Sequence, residues 1–227
     1  MVQILLYFCA VEKVSIQVAG EEMVLLAQKC MYWPHTHTLI ISDLHLGKSN
    51  HFRKSGIPLS IGSAMADLER MSLLISSLSP MRLVFLGDLF HSDHNAEWEL
   101  LAGWIRQYPQ IHFELVEGNH DLLPVDVYHQ AGIQVRSGIT LHGIHLSHEP
   151  ADEPGTYNIC GHIHPGVRLV GKAKQSLRIP CFYISSMRMV LPAFGSLTGL
   201  YIIEPKAQEM VYGVADSSLI QLKLPIK

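Results

Sequence analysis

The sequence predicts an α/β fold in which two mixed β-sheets pack face to face with helices outside. The first half alternates short apolar runs with segments of helical spacing, whereas the second half contains mostly short strands, and this change of pattern favours two sheets over one. Hydrophobic residues make up 48% and charged residues 16% of the 227 positions, which is typical of a globular chain. That length suits a single domain, which we assign to residues 1–227.

Strands and helices alternate in the first half of the sequence. Short buried strands are predicted at residues 38–42, 82–86 and 111–116, after a hairpin formed by 14–18 and 23–27. Helices are predicted at 61–78, which Pro80 stops, and at 97–108 and 127–131. Further short strands are predicted at 133–135, 139–141, 144–146, 157–160, 167–170, 181–184, 200–203 and 210–214.

Bulk properties exclude several classes of protein. The net charge of −3 argues against a general nucleic-acid-coating protein. The four cysteines form no Cys-x-x-Cys pair, so we expect neither a zinc ribbon nor a redox motif and predict a reduced, cytoplasmic protein. Residues 1–11 are apolar but lack a basic start and a clear cleavage site, so we predict an edge or poorly ordered segment there. No run reaches the roughly 18 to 20 apolar residues of a membrane span.

Polar residues with metal-binding chemistry follow the predicted buried strands directly. Open α/β sheets place their ligand sites at these carboxyl ends. The residues are Asp43, His45, Asp88, Asn119, His120, Asp121, His148, His162 and His164. Carboxylate, imidazole and amide oxygen suit divalent ions such as manganese, iron or zinc. Two ions that share a carboxylate, about 3.5 to 4 Å apart, need about this many ligands.

Each of these motifs alone has an ordinary explanation. Gly118 to Asp121 has the composition of a simple turn, and His162 and His164 have the spacing of an alternating strand pair. The 14 histidines also have competing explanations, namely hydrogen-bonded core residues and pH sensing. The ordered recurrence of such residues at successive strand ends favours a metal site.

The ordered set Asp-x-His, Gly-Asp, Gly-Asn-His-Asp, a lone His and Gly-His-x-His resembles the calcineurin-like metallophosphoesterase superfamily. Seven further segments, from about Gly20 to the C-terminus, resemble the bacterial ligase-associated DNA damage response endonuclease family. These segments are Tyr32-Trp33-Pro34, Asp43 to Lys48, Phe52 to Pro58, Gly87 to Ser92, His148-Glu149-Pro150, Gly161 to Pro165 and Leu191 to Gly195.

The resemblance implies a four-layer α/β/β/α sandwich, the metallophosphoesterase fold, and a role for each motif residue. Asp43, His45 and His164 would hold one metal ion. Asn119, His148 and His162 would hold a second ion, and Asp88 would bridge the two. His120 would face the scissile phosphate, with Asp121 as its orienting partner. We expect two divalent ions, with Mn²⁺ first and Fe or Zn as alternatives.

The activity implied by the resemblance is hydrolysis of phosphodiester bonds by a DNA endonuclease or phosphodiesterase in bacterial DNA repair. DNA ligase and helicase repair proteins are the implied protein partners, beside the DNA or other phosphodiester substrate. Glu149 and Pro150 follow His148 where many superfamily members have glycine. This departure alters the loop wall, so it bears on the choice of substrate more than on metal binding.

Basic residues cluster in sequence around the predicted ligands. No acidic residue lies between Glu153 and Glu204, or from Leu44 to Ala66. We therefore predict substrate contacts from Lys48, Arg53, Arg168 and Arg178 and a polyanionic substrate. The alternative is a solvated hairpin face whose charges protect an edge strand.

Two other functions remain open from the sequence. One is a phosphatase or pyrophosphatase that acts on a small molecule or phosphoprotein, and the other is a non-catalytic scaffold, against which the complete ligand set argues. The chain leaves no residues for a capping domain, and a homodimer is one way to supply the missing binding surface. The sequence assigns no firm role to Tyr32, Trp33 or Phe194, for which base stacking and core packing compete. The roles of His91 and His94 also stay open, and their closeness in sequence to Asp88 makes them candidates for residues that support the metal ligands.

Overall fold

The computed structural model describes residues 12–48, 62–92, 94–171 and 175–222. The predicted pair of mixed β-sheets with flanking helices is confirmed. The segment 1–11 and Arg53 lie outside the described residues.

The first sheet has seven strands in sequence order, β1 to β7. β1 to β4 are antiparallel, whereas β4 to β7 are parallel, so the carboxyl ends of the last four lie at one edge. The strands are β1 Lys13–Val18, β2 Glu21–Leu26, β3 Cys30–Trp33, β4 Thr38–Ser42, β5 Arg82–Leu86, β6 His112–Val116 and β7 Ile133–Arg136.

The second sheet has the order β14-β11-β12-β13-β10-β9-β8, with β15 and β16 added beside β12. Its parallel pairs are β9 with β10, β10 with β13, and β11 with β14. The strands are β8 Ile139–Leu141, β9 Ile144–Leu146, β10 Tyr157–Cys160, β11 Pro165–Val170, β12 Ser176–Ile184, β13 Arg188–Val190, β14 Tyr201–Ile202, β15 Met210–Ala215 and β16 Ser218–Leu222.

Strand alternation divides the core into layers, because successive side chains point to opposite faces of a sheet. Ile40 and Val84 of the first sheet pack against Ile159 and Phe182 of the second. On the other face of the first sheet, apolar residues pack against the three described helices, which are α1 Gly62–Leu78, α2 Ala96–Ile105 and α3 Val125–Gln130. On the other face of the second sheet lies a smaller cluster of strand residues that includes Cys181.

Three strands were not predicted, namely Cys30–Trp33, Arg188–Val190 and Ser218–Leu222. Two of them follow turns without glycine, in which Lys29 and Asp216 adopt left-handed φ angles of 65° and 51°. Such turns carry a weaker sequence signal than glycine. Helix α2 also ends earlier than predicted, since the chain tightens to a three-residue hydrogen bond from Tyr108 N–H to the Ile105 carbonyl, 3.0 Å long.

Two further observations concern the cysteines and the helices of the described residues. Three described cysteines, Cys30, Cys160 and Cys181, are buried and not in disulfides. No helix among the described residues is long and apolar enough to cross a membrane.

Candidate metal centre

The two sheets bring their strand-end loops to one edge of the sandwich. In the first sheet, Asp43 follows β4 directly, and Asp88 lies two residues after β5. The turn that contains Asn119 follows β6. In the second sheet, His148 and His162 each lie two residues after a strand, β9 and β10 respectively. All five segments come from the parallel parts of the sheets, as expected for a ligand site in such a fold.

Backbone hydrogen bonds fix these loops against each other. The His45 N–H donates to the Asp88 carbonyl over 2.8 Å, and the Leu46 N–H donates to the Leu89 carbonyl over 3.0 Å. From the second sheet, the His162 N–H donates to Asp43 Oδ2 over 3.0 Å. The side chains of the site therefore stand on loops whose relative positions are set by main-chain contacts.

The first cluster consists of Asp43, His45 and His164. One potential ligand atom of each lies within 4.8 Å of the other two. His45 Nε2 and His164 Nε2 are 3.2 Å apart, and His164 Nε2 is 3.3 Å from Asp43 Oδ1. Asp43 and His45 are buried, whereas His164 is half-buried.

The second cluster consists of Asp88, His148 and His162, and Asn119 lies beside it. His148 Nε2 is 3.1 Å from His162 Nδ1 and 3.4 Å from Asp88 Oδ1. Asp88 Oδ2 is 3.6 Å from His45 Nε2 of the first cluster. Asp88 thus presents one oxygen to each cluster, while the exposed side chain of His162 leaves one side open to solvent.

The chemistry of these contacts fits bound cations. His148 Nδ1 lies 2.9 Å from the Leu86 carbonyl, so in the neutral ring Nδ1 donates a hydrogen bond and Nε2 keeps its lone pair. That lone pair faces Asn119 Oδ1 at 3.0 Å and Asp88 Oδ1 at 3.4 Å, which are also acceptors. Two oxygens thus converge on this imidazole nitrogen, and such a mixed nitrogen and oxygen set suits a borderline divalent ion.

The surroundings of Asp43 and His45 keep both side chains in their metal-binding protonation states. Burial lowers the pKa of His45 to about 3, so its imidazole is neutral at physiological pH. For Asp43, burial pushes the pKa upward, but hydrogen bonds and charge from His164 and the Ser42 hydroxyl outweigh it and lower the pKa. The site thus offers an ionised carboxylate and a neutral imidazole side by side.

Left-handed backbone conformations are concentrated in the ligand loops. The φ angles are 52° at Asp43, 52° at His45, 49° at Asp88, 66° at His162 and 52° at His164. Each costs roughly 1 to 3 kcal/mol for a residue that has a Cβ, and persists only where the surroundings hold it. Such strain is typical of functional sites, because it aims side chains at one point.

Two glycines are required for the loops to approach each other. A Cβ at Gly161 would lie 1.7 Å from Ser42 Oγ and 2.5 Å from Asp43 Oδ2. A Cβ at Gly118 would lie 2.4 Å from the Asp88 nitrogen. Neither position tolerates a side chain without moving a carboxylate of the centre.

His120 lies beside the two clusters and is held through its backbone and its ring. Its N–H donates to Asp88 Oδ1 over 2.9 Å. Its ring stacks on that of His91, with centroids 3.9 Å apart and an angle of 30° between the planes. The sequence left the role of His91 open, and its only signal was its position three residues after Asp88.

Asp121, which was expected to orient the imidazole of His120, contacts backbone amides of two loops through its carboxylate. Asp121 Oδ1 accepts hydrogen bonds from the Leu89 and Phe90 N–H groups over 2.9 and 3.1 Å, and Oδ2 accepts one from the Gly118 N–H over 2.9 Å. The carboxylate therefore ties the loop after β5 to the loop after β6. The role expected for Asp121 toward the His120 imidazole stays a prediction. Burial also raises the pKa of Asp121 to about 6.

Two of the predicted substrate contacts face each other across a strand pair. Arg168 of β11 is the Cα partner of Arg178 of β12, and both side chains are exposed. Lys48 is half-buried at the end of the first ligand loop. Arg188 has a different partner, since its guanidinium contacts the Asp152 carboxylate.

The aromatic residues left open by the sequence have structural partners away from the ligands. Phe194 is fully buried beneath the Arg70 guanidinium, which lies 3.8 Å from the ring centroid. Trp33 is buried and donates from Nε1 to Glu21 Oε2 over 3.0 Å. Tyr32 Oη lies 3.4 Å from His37 Nδ1, and His94 Nε2 lies 3.0 Å from Glu99 Oε1.

Solved structures of other proteins are similar to this chain to different degrees. No protein-family model and no curated protein matches the chain. Its structure is similar to the crystal structure of the Pseudomonas putida nuclease MPE, with 29% sequence identity and a TM-score of 0.80, over 92% of this chain and 100% of that one. A second neighbour is YfcE, a phosphoesterase from E. coli, with 12% identity and a TM-score of 0.40 over 79% of this chain and 88% of that one.

The likeness to the P. putida nuclease spans nearly the whole chain. Together with the two Asp/His clusters, it supports a metal-dependent phosphoesterase, and hence a hydrolase, with a metallophosphoesterase fold.

Proposed function

We propose that this protein is a binuclear metal-dependent phosphodiesterase that cleaves DNA. The observation that carries the proposal is the convergence of two ligand clusters on Asp88, whose two oxygens lie 3.4 Å from His148 Nε2 and 3.6 Å from His45 Nε2. A carboxylate placed between two imidazole groups in this way suits a pair of ions about 3.5 to 4 Å apart.

The ligand assignment follows the two clusters. Asp43, His45 and His164 hold one ion, Asn119, His148 and His162 hold the other, and Asp88 is shared. When bound, two divalent ions, most simply Mn²⁺, supply an activated water nucleophile and neutralise charge on the phosphoryl oxygens.

His120 acts on the leaving group in this proposal. Its backbone is fixed by Asp88 and its ring by the stack on His91, so the imidazole has a defined position beside both clusters. From there it donates a proton to the leaving oxygen or stabilises the charge that develops on it. Asp121 holds the turn beneath His120 through backbone amides and takes no part in proton transfer.

The arginine pair on β11 and β12 favours a polyanionic substrate. Like charges directly opposite each other destabilise a strand pair. Within the described ranges neither Arg168 nor Arg178 has a carboxylate within 4.0 Å to offset this cost. β11 begins at Pro165, next to His164, so Arg168 lies on the order of 13 Å along the strand from that ligand. A DNA strand crossing the centre would place a neighbouring phosphate there.

The cellular setting is an extension of the same proposal. A cytoplasmic role in bacterial DNA repair, beside DNA ligase and helicase repair proteins, rests on the motifs in the sequence. A homodimer would widen the binding surface of this single domain.

The test compares three substrates with the Mn²⁺-loaded protein: DNA, bis-p-nitrophenyl phosphate and p-nitrophenyl phosphate. We expect nicking of DNA and faster turnover of the diester than of the monoester. Raising salt should weaken DNA binding steeply, and Arg168→Gln with Arg178→Gln should reduce that slope. Faster turnover of the monoester with intact DNA would identify a phosphatase instead.

The variant His120→Ala tests the role proposed for this imidazole. It should retain the metal content of the wild type and lose about 10² to 10⁴-fold in turnover, as expected for a general acid. Equal loss of metal and of turnover in this variant would contradict the assigned role.

A further inference from the structure

A third group of potential ligands lies outside the catalytic centre and consists of Glu21, His35 and His142. One potential ligand atom of each lies within 4.8 Å of the other two, as in both catalytic clusters. Glu21 Oε2 is 2.9 Å from His35 Nδ1, and the rings of His35 and His142 have centroids 4.6 Å apart. Two imidazoles and one carboxylate thus share one small volume.

The three residues come from both sheets. Glu21 is the first residue of β2, and His35 lies in the short helical turn between β3 and β4, so both belong to the first sheet. His142 lies in the turn between β8 and β9 of the second sheet. His142 precedes β9 whereas His148 follows it, so this group lies on the order of 20 Å from the catalytic centre, at the opposite edge.

The donor set and its spacing suit a zinc-class ion. Zinc binds imidazole nitrogen and carboxylate oxygen at about 2.0 to 2.2 Å, so its ligand atoms lie within roughly 4.4 Å of each other. The ligand atoms of this group lie within 4.8 Å of one another, so they need to approach by a few tenths of an ångström at most to bind such an ion. His35 and His142 are exposed, so their side chains can move that far without disturbing the core.

A buried residue already orients the carboxylate. Trp33 is 1% exposed, and its Nε1 donates to Glu21 Oε2 over 3.0 Å. The same indole lies edge-on to His142, with ring centroids 6.0 Å apart. Fixed hydrogen-bond partners behind a ligand are typical of metal sites, because they hold the ligand in its binding orientation.

A simple ion pair between Glu21 and His35 explains only part of this arrangement. It does not account for His142, which the second sheet brings to within ring contact of His35 and Trp33. The Glu21 carboxylate lies beside an indole and two imidazoles.

We propose that Glu21, His35 and His142 bind one zinc-class divalent ion that links the two sheets at the edge opposite the catalytic centre. Water completes the coordination, because three protein ligands leave one tetrahedral position open. The ion has a structural role, since it joins side chains of the first sheet to a turn of the second.

The test measures zinc bound per chain, by competition of the intact wild-type protein with a chromophoric chelator. His142→Ala and Glu21→Gln should each bind one zinc ion fewer than the wild type, or bind that ion at least tenfold more weakly. The matched control is His145→Ala, which removes a histidine from the same hairpin whose Nδ1 contacts the Thr140 hydroxyl over 2.8 Å. This control should bind as much zinc as the wild type.

A second measurement separates this site from the catalytic one. The Asp88→Ala protein should still bind one zinc ion per chain, and the Asp88→Ala/His142→Ala double variant should bind none. This result does not depend on which substrate the enzyme cleaves. Zinc should also raise the melting temperature of the Asp88→Ala protein more than that of the double variant. Equal zinc content with and without His142 would overturn the proposal, and Glu21→Gln, which keeps the side-chain size, decides the case if His142→Ala fails to fold.

Discussion

The catalytic centre and the group of Glu21, His35 and His142 differ in how the fold positions their potential ligands. In the catalytic centre, Asp43 is fully buried, and five ligands stand on left-handed backbone. In the group at the opposite edge, the side chain of His35 is 60% exposed, Glu21 lies on a regular strand, and His142 has a left-handed φ of 48°. The first arrangement is held by the fold before any ion binds, whereas the second can close around an ion by side-chain rotation.

The carboxylates of Asp121, beside the catalytic centre, and of Glu21, at the opposite edge, have pKa values shifted in opposite directions. Burial raises the pKa of Asp121 to about 6, although three amides donate to it. Glu21 has its pKa lowered by hydrogen bonds from Trp33 and His35. The Asp121 carboxylate therefore carries a cost in stability that the Glu21 carboxylate does not, and such a cost is typical of a residue whose position serves a functional site.

The largest expected effect is that of Asp88→Asn. Removal of the shared charge should abolish metal binding by the centre and lower DNA cleavage by more than the roughly 10 to 100-fold typical of residues behind the ligands. Glu21→Gln makes the same chemical change at the opposite edge and should leave DNA cleavage unchanged. Metal analysis beside kinetics checks both variants. If Asp88→Asn kept its metal and its activity, the proposal that Asp88 is a ligand shared by two catalytic ions would be wrong.

The second effect is that of Gly161→Ala. Its Cβ would lie 1.7 Å from Ser42 Oγ and 2.5 Å from Asp43 Oδ2, so both side chains must shift. A displacement of about 1 Å at a catalytic group costs on the order of 10²-fold in rate. The control is Gly143→Ala, where φ is 73° and no atom lies within 4 Å of the added Cβ. That variant should lose on the order of 1 kcal/mol of stability through backbone strain alone and keep its activity. Similar activities for the two variants would show that the packing at Gly161 is not critical.

The sequence indicated the candidate ligands because their motifs lie within four residues after the end of a strand. A polar residue after an apolar run marks a strand end, and parallel strand ends meet at one edge. The contacts of Asp121 and the His91–His120 stack could not be predicted, since they depend on amides and rings from another loop. The pairing of Arg168 with Arg178 likewise needed the register of β11 and β12.

The group at the opposite edge gave no comparable signal. Trp33 ends a strand that was not predicted, and no motif links Glu21 to His142, which the packing of two sheets brings together. Residues of this kind become visible only when the fold is known.

The smallest effect tests the cost in stability at Asp121. With a pKa of about 6 in the folded protein and about 3.9 unfolded, the folded state binds the proton more tightly, so this group lowers stability as pH rises from 4 to 6. In the metal-free protein, the free energy of unfolding of wild type relative to Asp121→Asn should therefore fall by on the order of 2 kcal/mol across this range. Urea unfolding in EDTA at several pH values measures it, with exposed Asp126→Asn as the control. Parallel pH curves for wild type and Asp121→Asn would mean that the Asp121 carboxylate is as well solvated by its three amides as by water, which would remove the contrast with the opposite edge.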